Sequence, residues 1–168
     1  MSDTVSRFLA LYLRLVVIAS LAGFLVGVIL GPGLFYSVAK GKEYIISLLR
    51  TNPLAAMALI YLNNLLVSLV GLVPFLGLVI LGANTAVLGS MASINILLLA
   101  YILPHGLIEL PVIAYSIYLG GYIPAYRRAG GLRRGLVMAV RRWGLVVAPL
   151  LLLAAVIEVF ITPMLLPS

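Results

Sequence analysis

Five long apolar runs follow one another along the chain, separated by short segments rich in basic residues or proline. A helix of about 20 apolar residues is roughly 30 Å long, which matches the hydrocarbon core of a bilayer. Charged residues make up only 9% of the chain, against roughly 25% in a soluble domain. The sequence therefore predicts an all-α, polytopic transmembrane helical bundle that forms a single domain over residues 1–168.

The boundaries of the predicted spans follow the basic residues and the prolines. The spans are expected at 15–36, 54–73, 75–103, 105–124 and 143–163, with interfacial helices at 40–51 and 131–142. Asn52-Pro53 is typical of a helix start. The third run would be about 43 Å long as one helix, more than an upright crossing needs. It is expected to tilt, break or re-enter, with a break favoured at 89–93 and a new helix opening at Pro104.

The basic residues predict the orientation of the protein, because loops on the cytoplasmic side carry an excess of Lys and Arg. The chain has a formal net charge of +7. With five spans, the N-terminus and residues 127–142 lie on one side and Arg50 lies on the other. We therefore predict a multi-pass plasma membrane protein whose N-terminus and residues 127–142 are cytoplasmic. The six arginines of that loop are a candidate surface for anionic lipid headgroups or an unidentified protein partner: Arg127, Arg128, Arg133, Arg134, Arg141 and Arg142.

Small residues repeat every fourth position on the first span, at Ala19, Gly23, Gly27 and Gly31. Such a stripe leaves a smooth groove along one helix face, against which another helix packs closely. An internal packing seam is the favoured interpretation, and a homodimer interface is the alternative.

Six polar or ionisable residues lie within the predicted spans and form a candidate functional cluster: His105, Glu109, Asn63, Asn64, Asn84 and Glu158. His105 and Glu109 are four residues apart, so they share a helix face and can touch. An ionisable group at such depth is tolerated when it is paired or faces water. A structural ion pair is favoured, and coordination of a proton or cation along a permeation path is the alternative.

Catalysis, cofactors and metals find little support in the sequence. The chain has one histidine and no cysteine, and His105 with Glu109 supplies two ligands where a catalytic zinc needs three. Neither a nucleophile elbow nor a glycine-rich phosphate loop occurs. We therefore expect a non-enzymatic protein without a cofactor or a metal site. The basic residues lie at the ends of apolar runs, which favours a membrane surface over nucleic acid as their partner.

The segment Leu103-Pro104-His105-Gly106-Leu107-Ile108-Glu109-Leu110-Pro111 resembles the Pro-His-Gly-x-x-Glu-Leu-Pro signature of the stage II sporulation protein M family. Asn64, and Asn84 followed by Gly89, resemble that family's earlier Asn and Gly positions. The resemblance covers about residues 55–125. It implies a multi-spanning protein and a scaffolding role, since the family's named member scaffolds cell-wall-degrading enzymes during engulfment in spore-forming bacteria.

Two functions from different classes follow. A scaffold would hold partner proteins on its helix faces or its arginine surface, and its bundle would be closed. A channel or transporter for a proton, cation, small solute or lipid would instead use the polar residues around His105 and Glu109 to line a cavity. Scaffolding is the leading hypothesis.

Overall fold

A computed structural model describes residues 3–41, 43–96 and 98–165, without the side chains at 39, 41, 43, 44, 46, 98, 100–105 and 165. The described residues are helical and include no strand, which confirms the all-α class. The helices are α1 Asp3–Leu30, α2 Pro32–Gly41, α3 Glu43–Thr51, α4 Pro53–Gly71, α5 Leu76–Ile94, α6 Leu98–Gly120, α7 Tyr122–Arg128, α8 Leu132–Arg142 and α9 Ala148–Val156.

Five helices in the described part of the chain are long and apolar enough to cross a membrane: Asp3–Leu30, Pro53–Gly71, Leu76–Ile94, Gly106–Arg128 and Leu132–Met164. Their outward faces are apolar. Leu25, Ile29, Leu66 and Val79 are all at least 60% exposed, and a contiguous surface of this kind suits lipid rather than water.

The first span lies nearer the N-terminus than predicted. α1 runs from Asp3 to Leu30, whereas the apolar run suggested 15–36. Gly31 ends the helix in the left-handed region, at φ +67°, where a residue without Cβ pays no steric cost. Pro32 then opens α2, because proline suits the first position of a helix. The predicted interfacial helix at 40–51 falls on the end of α2 and on α3, and residue 42 lies outside the described residues.

The second span begins where the Asn-Pro pair predicts. The Ala55 N–H donates to Asn52 Oδ1 at 3.1 Å, and Pro53 occupies the first turn of α4. Such a cap satisfies one of the backbone donors that the first turn leaves unpaired. At the other end, a tight turn with Phe75 at φ 68° leads into α5.

The third run breaks, but not at the predicted place. α5 continues through residues 89–93 and ends at Ile94, and Asn95 is extended, at φ −160° and ψ 124°. Gly89 and Ser90 are buried against neighbouring helices, so their small size serves packing rather than interruption. α6 begins at Leu98, and Pro104, the predicted start, lies inside it.

The helix that carries four of the six arginines, α8, is continuous with the last span. α8 was expected to be a separate surface helix at 131–142, but it continues without a turn through Trp143, which is itself helical at φ −58° and ψ −51°. A π-helical turn at Trp143–Val147 follows and leads into α9. A second π turn lies at Ile157–Ile161. The wider π turn directly precedes Pro149, whose missing N–H it helps to accommodate.

The contacts between helices define two ends of the bundle. The Arg128 guanidinium lies 4.7 Å from the centre of the Phe8 ring, and the Phe75 N–H donates to Tyr12 Oη at 3.3 Å. The start of α1, the α4–α5 turn and helices α7 and α8 therefore share one end, which we call the basic end. Gly31 and Ser90 meet at the opposite end.

Candidate functional site

Helices α1 and α5 run parallel and pack so closely that their backbones touch. A Cβ added at Gly23, Gly27 or Gly89 would lie closer than 3.0 Å to backbone atoms of the facing helix, at Gly82, Ala86 and Phe24 respectively. Real Cβ atoms do not approach backbone atoms that closely. This contact is therefore possible only because both helices carry glycine where they meet.

The small-residue stripe on α1 thus packs against α5 within the chain, as the favoured interpretation of an internal seam predicts. The homodimer alternative stays a prediction. The Ala19 carbonyl lies 3.6 Å from a Cβ built at Gly82, so Ala19 belongs to the same contact. Gly31 does not belong to it, because no atom lies within 4 Å of its Cβ position. Its role is to end α1. Within one copy of the chain, α5 fills this groove.

At the opposite end, one buried hydroxyl joins α1, α2 and α5. Ser90 Oγ donates to the Gly31 carbonyl at 2.5 Å and accepts from the Phe35 N–H at 2.9 Å. These two backbone groups belong to the break between α1 and α2, where a helix leaves donors and acceptors unpaired. Ser90 therefore fixes the position at which the chain turns away from the first span.

Three of the predicted polar residues lie at one depth in the bundle. Helices α4, α5 and α6 meet where Gly71, Gly77 and Ile117 contact one another. Counting along each helix from that layer, Asn64 and Asn84 lie about 10 Å away and Glu109 about 12 Å away. The structure thus brings these residues of three helices to a common level. A similar depth for Asn64 and Asn84 is also what their positions within the apolar runs predict.

The amides at this level make hydrogen bonds within the protein. Asn84 Nδ2 donates to the Ile80 carbonyl of its own helix at 3.0 Å. Asn63 is exposed and its Nδ2 donates to Oδ1 of the buried Asn64 at 3.3 Å. Thr85 likewise returns its hydroxyl to the Leu81 carbonyl at 3.0 Å. Intramembrane polar groups satisfied in this way need no water path.

The ionisable members of the predicted cluster lie on two helices. Glu109 on α6 and Glu158 on the second π turn are both half-buried. The backbone of His105 lies in α6, whereas its side chain lies outside the described residues. The contact between His105 and Glu109 that their spacing predicts therefore stays a prediction.

A buried hydrogen-bond cluster, which the sequence did not single out, joins α4, α6 and the last span. Ser116 Oγ donates to the Ser68 carbonyl at 2.6 Å, and Trp143 Nε1 donates to Ser68 Oγ at 3.1 Å. Ser68 Oγ in turn donates to the Leu65 carbonyl at 2.8 Å. The available signal was the presence of two serines and the single tryptophan within otherwise apolar runs, each of which needs a polar partner there.

Aromatic rings hold three of the six arginines at the basic end. Arg128 stacks on Phe8, and the Arg134 guanidinium lies 5.8 Å from the centre of the Tyr126 ring. Arg142 contacts Tyr122 and donates from Nη1 to its Oη at 2.8 Å. Cation–π contacts of this kind contribute about 0.5–1 kcal/mol each at exposed sites.

All six arginines are nevertheless exposed. They form a cationic surface at the basic end, made by α7 and α8 and anchored to α1 through Phe8. We call this set the arginine surface: Arg127, Arg128, Arg133, Arg134, Arg141 and Arg142. The charges of this surface are exposed, and contacts with aromatic rings fix the positions of three of its arginines.

No curated protein and no solved structure matches this chain. The family model described as stage II sporulation protein M matches residues 15–163. That match covers most of the chain and extends beyond the signature segment to all five candidate spans. The chain therefore belongs to the stage II sporulation protein M family.

Proposed function

We propose that this protein is a non-enzymatic membrane scaffold that docks an acidic partner protein on the arginine surface. The observation that carries the proposal is the anchoring of exposed arginines to aromatic rings of α1 and α7. A partly fixed cationic surface loses less side-chain entropy on binding than free arginines would, so it is suited to recognition. Family membership supports the same role.

The arrangement of the intramembrane polar groups also favours a scaffold over a transporter. Asn84 and Thr85 bond to carbonyls of their own helix, and Asn63 bonds to Asn64. A transport path would instead need polar groups directed into a wet cavity. By the distribution of basic residues, the arginine surface faces the cytoplasm from the plasma membrane, and the partner is a cytoplasmic protein or a cytoplasmic segment of a membrane protein.

Neutralising the exposed arginines should release the partner without disturbing the bundle. In Arg127→Gln/Arg133→Gln/Arg141→Gln, three exposed side chains lose their charge, and each charge pair with a partner is worth about 0.2–1 kcal/mol. Recovery of crosslinked partner from cells should therefore fall by at least about threefold. This recovery is measured by quantitative mass spectrometry of the proteins crosslinked to the purified variants.

The matched control is Arg50→Gln, an exposed arginine at the opposite end of the bundle. It should retain the partner at the original level. If the triple variant and the control retain the same proteins equally, the arginine surface is not the docking site. If no acidic protein is enriched above membranes that lack the chain, the scaffold proposal itself is wrong.

A further inference from the structure

An open groove runs between α1 and α6 on the exposed surface of the helix bundle. It has a volume of about 610 Å³, within the range of small-molecule sites. One wall is the α1 face from Leu13 to Leu21, and the other is formed by Pro111, Ala114, Tyr115 and Tyr118 of α6. Val16 is 5% exposed and forms the floor, whereas Leu13 and Leu21 form an open rim.

The groove lies at the depth of one leaflet. The ring of Tyr12 lies against Gly121 at the basic end. Leu13, the first residue of the groove on α1, directly follows Tyr12 in the chain. From Leu13 to Leu21 the groove then extends about 12 Å into the membrane, which approaches half of the hydrocarbon thickness. An acyl chain of a lipid in the leaflet at the basic end has this depth and direction.

Cationic and hydroxyl groups lie at the mouth of the groove. Arg14 is exposed and shares a helix face with Val17 and Leu21, one turn closer to the basic end. Tyr118 is at the same level on α6, and its ring centre lies 5.8 Å from that of Tyr122. Tyr122 in turn holds Arg142 through the hydrogen bond to its Oη.

We propose that the groove between α1 and α6 binds one anionic phospholipid from the leaflet at the basic end. An acyl chain lies along the apolar walls, and the phosphate lies at Arg14, with Arg142 and the tyrosine hydroxyls nearby. Charge selects the occupant, because an arginine near the headgroup favours an anionic lipid over a zwitterionic one. Arg14 lies on the first span and does not belong to the arginine surface, so this site shares only Arg142 with that surface.

The test is native mass spectrometry of delipidated protein in detergent, with equal amounts of phosphatidylglycerol and phosphatidylcholine carrying the same acyl chains. Phosphatidylglycerol should be the lipid retained. Arg14→Gln should reduce its preference over phosphatidylcholine about fivefold. Ala114→Leu, which places a larger side chain in the groove, should reduce retention of phosphatidylglycerol.

Two matched variants control for the substitutions themselves. Arg50→Gln removes an exposed arginine at the opposite end, and Ala83→Leu enlarges an exposed alanine of α5. Both should bind phosphatidylglycerol as the original protein does. Equal retention of the two lipids overturns the proposal. The proposal is also overturned if Arg14→Gln binds phosphatidylglycerol as Arg50→Gln does, or if Ala114→Leu binds it as Ala83→Leu does. Arg14 is exposed, so its replacement leaves the packing of the bundle intact.

Discussion

Gly27→Ala should destabilise the protein by about 3 kcal/mol or more, because the added methyl group meets backbone that cannot move aside. The Cβ at residue 27 would lie closer than 3.0 Å to the Ala86 backbone. Helix propensity acts in the opposite sense, since alanine is favoured over glycine by about 1 kcal/mol in a helix interior. The measured loss is therefore smaller than the full steric cost at the seam. Unfolding in mixed micelles, followed by circular dichroism, gives the free energy.

Gly144→Ala is the matched control for this prediction. Gly144 is also a helical glycine, but no atom lies within 4 Å of its Cβ position. The same methyl group should therefore leave the free energy of unfolding unchanged or raise it. If Gly27→Ala proves as stable as Gly144→Ala, α1 and α5 do not pack along the stripe as described.

Ser68→Ala should lower the free energy of unfolding by about 2 kcal/mol, since it leaves the Trp143 indole N–H without its acceptor. Ser68 is fully buried and its hydroxyl accepts from Trp143 Nε1 at 3.1 Å. The chain has a single tryptophan, so its fluorescence reports directly on this site. Both the unfolding free energy and the emission maximum should change.

Ser20→Ala removes a hydroxyl that bonds only within α1, at 3.0 Å from the Val16 carbonyl. A hydroxyl that returns to its own helix contributes little to stability, so this variant should lose less than about 0.5 kcal/mol. Equal stability and equal tryptophan emission in the two serine variants would show that the Ser68–Trp143 hydrogen bond does not join the last span to α4.

The sequence predicted the class of fold and the number of long apolar helices, because both depend on composition and run length. It predicted less well where the helices end. The small and polar segment at 89–93 was expected to break a helix, yet Ser90 bonds to Gly31 and Phe35 of other helices. Hydropathy contains no information about such a contact between distant residues.

The candidate site shows the same limit. The stripe from Ala19 to Gly31 identified a packing face, but a pattern on one helix does not identify the helix that covers it. The level of Glu109 relative to Asn64 and Asn84 depends on the register of three helices, which their tertiary contacts establish. The six arginines lie close together in the sequence, so the sequence predicts that they form one group. The aromatic rings that contact three of them belong to α1 and α7, and these contacts depend on the tertiary structure.

Under the proposed scaffold function, the intramembrane polar residues form their hydrogen bonds within the protein and line no path across the membrane. The most direct test of this claim is flux through vesicles that contain the purified protein, measured for protons, potassium ions and labelled phospholipid. We predict no flux above that of protein-free vesicles. Flux above that level, reduced by Asn84→Ala or Glu109→Gln, would contradict the claim.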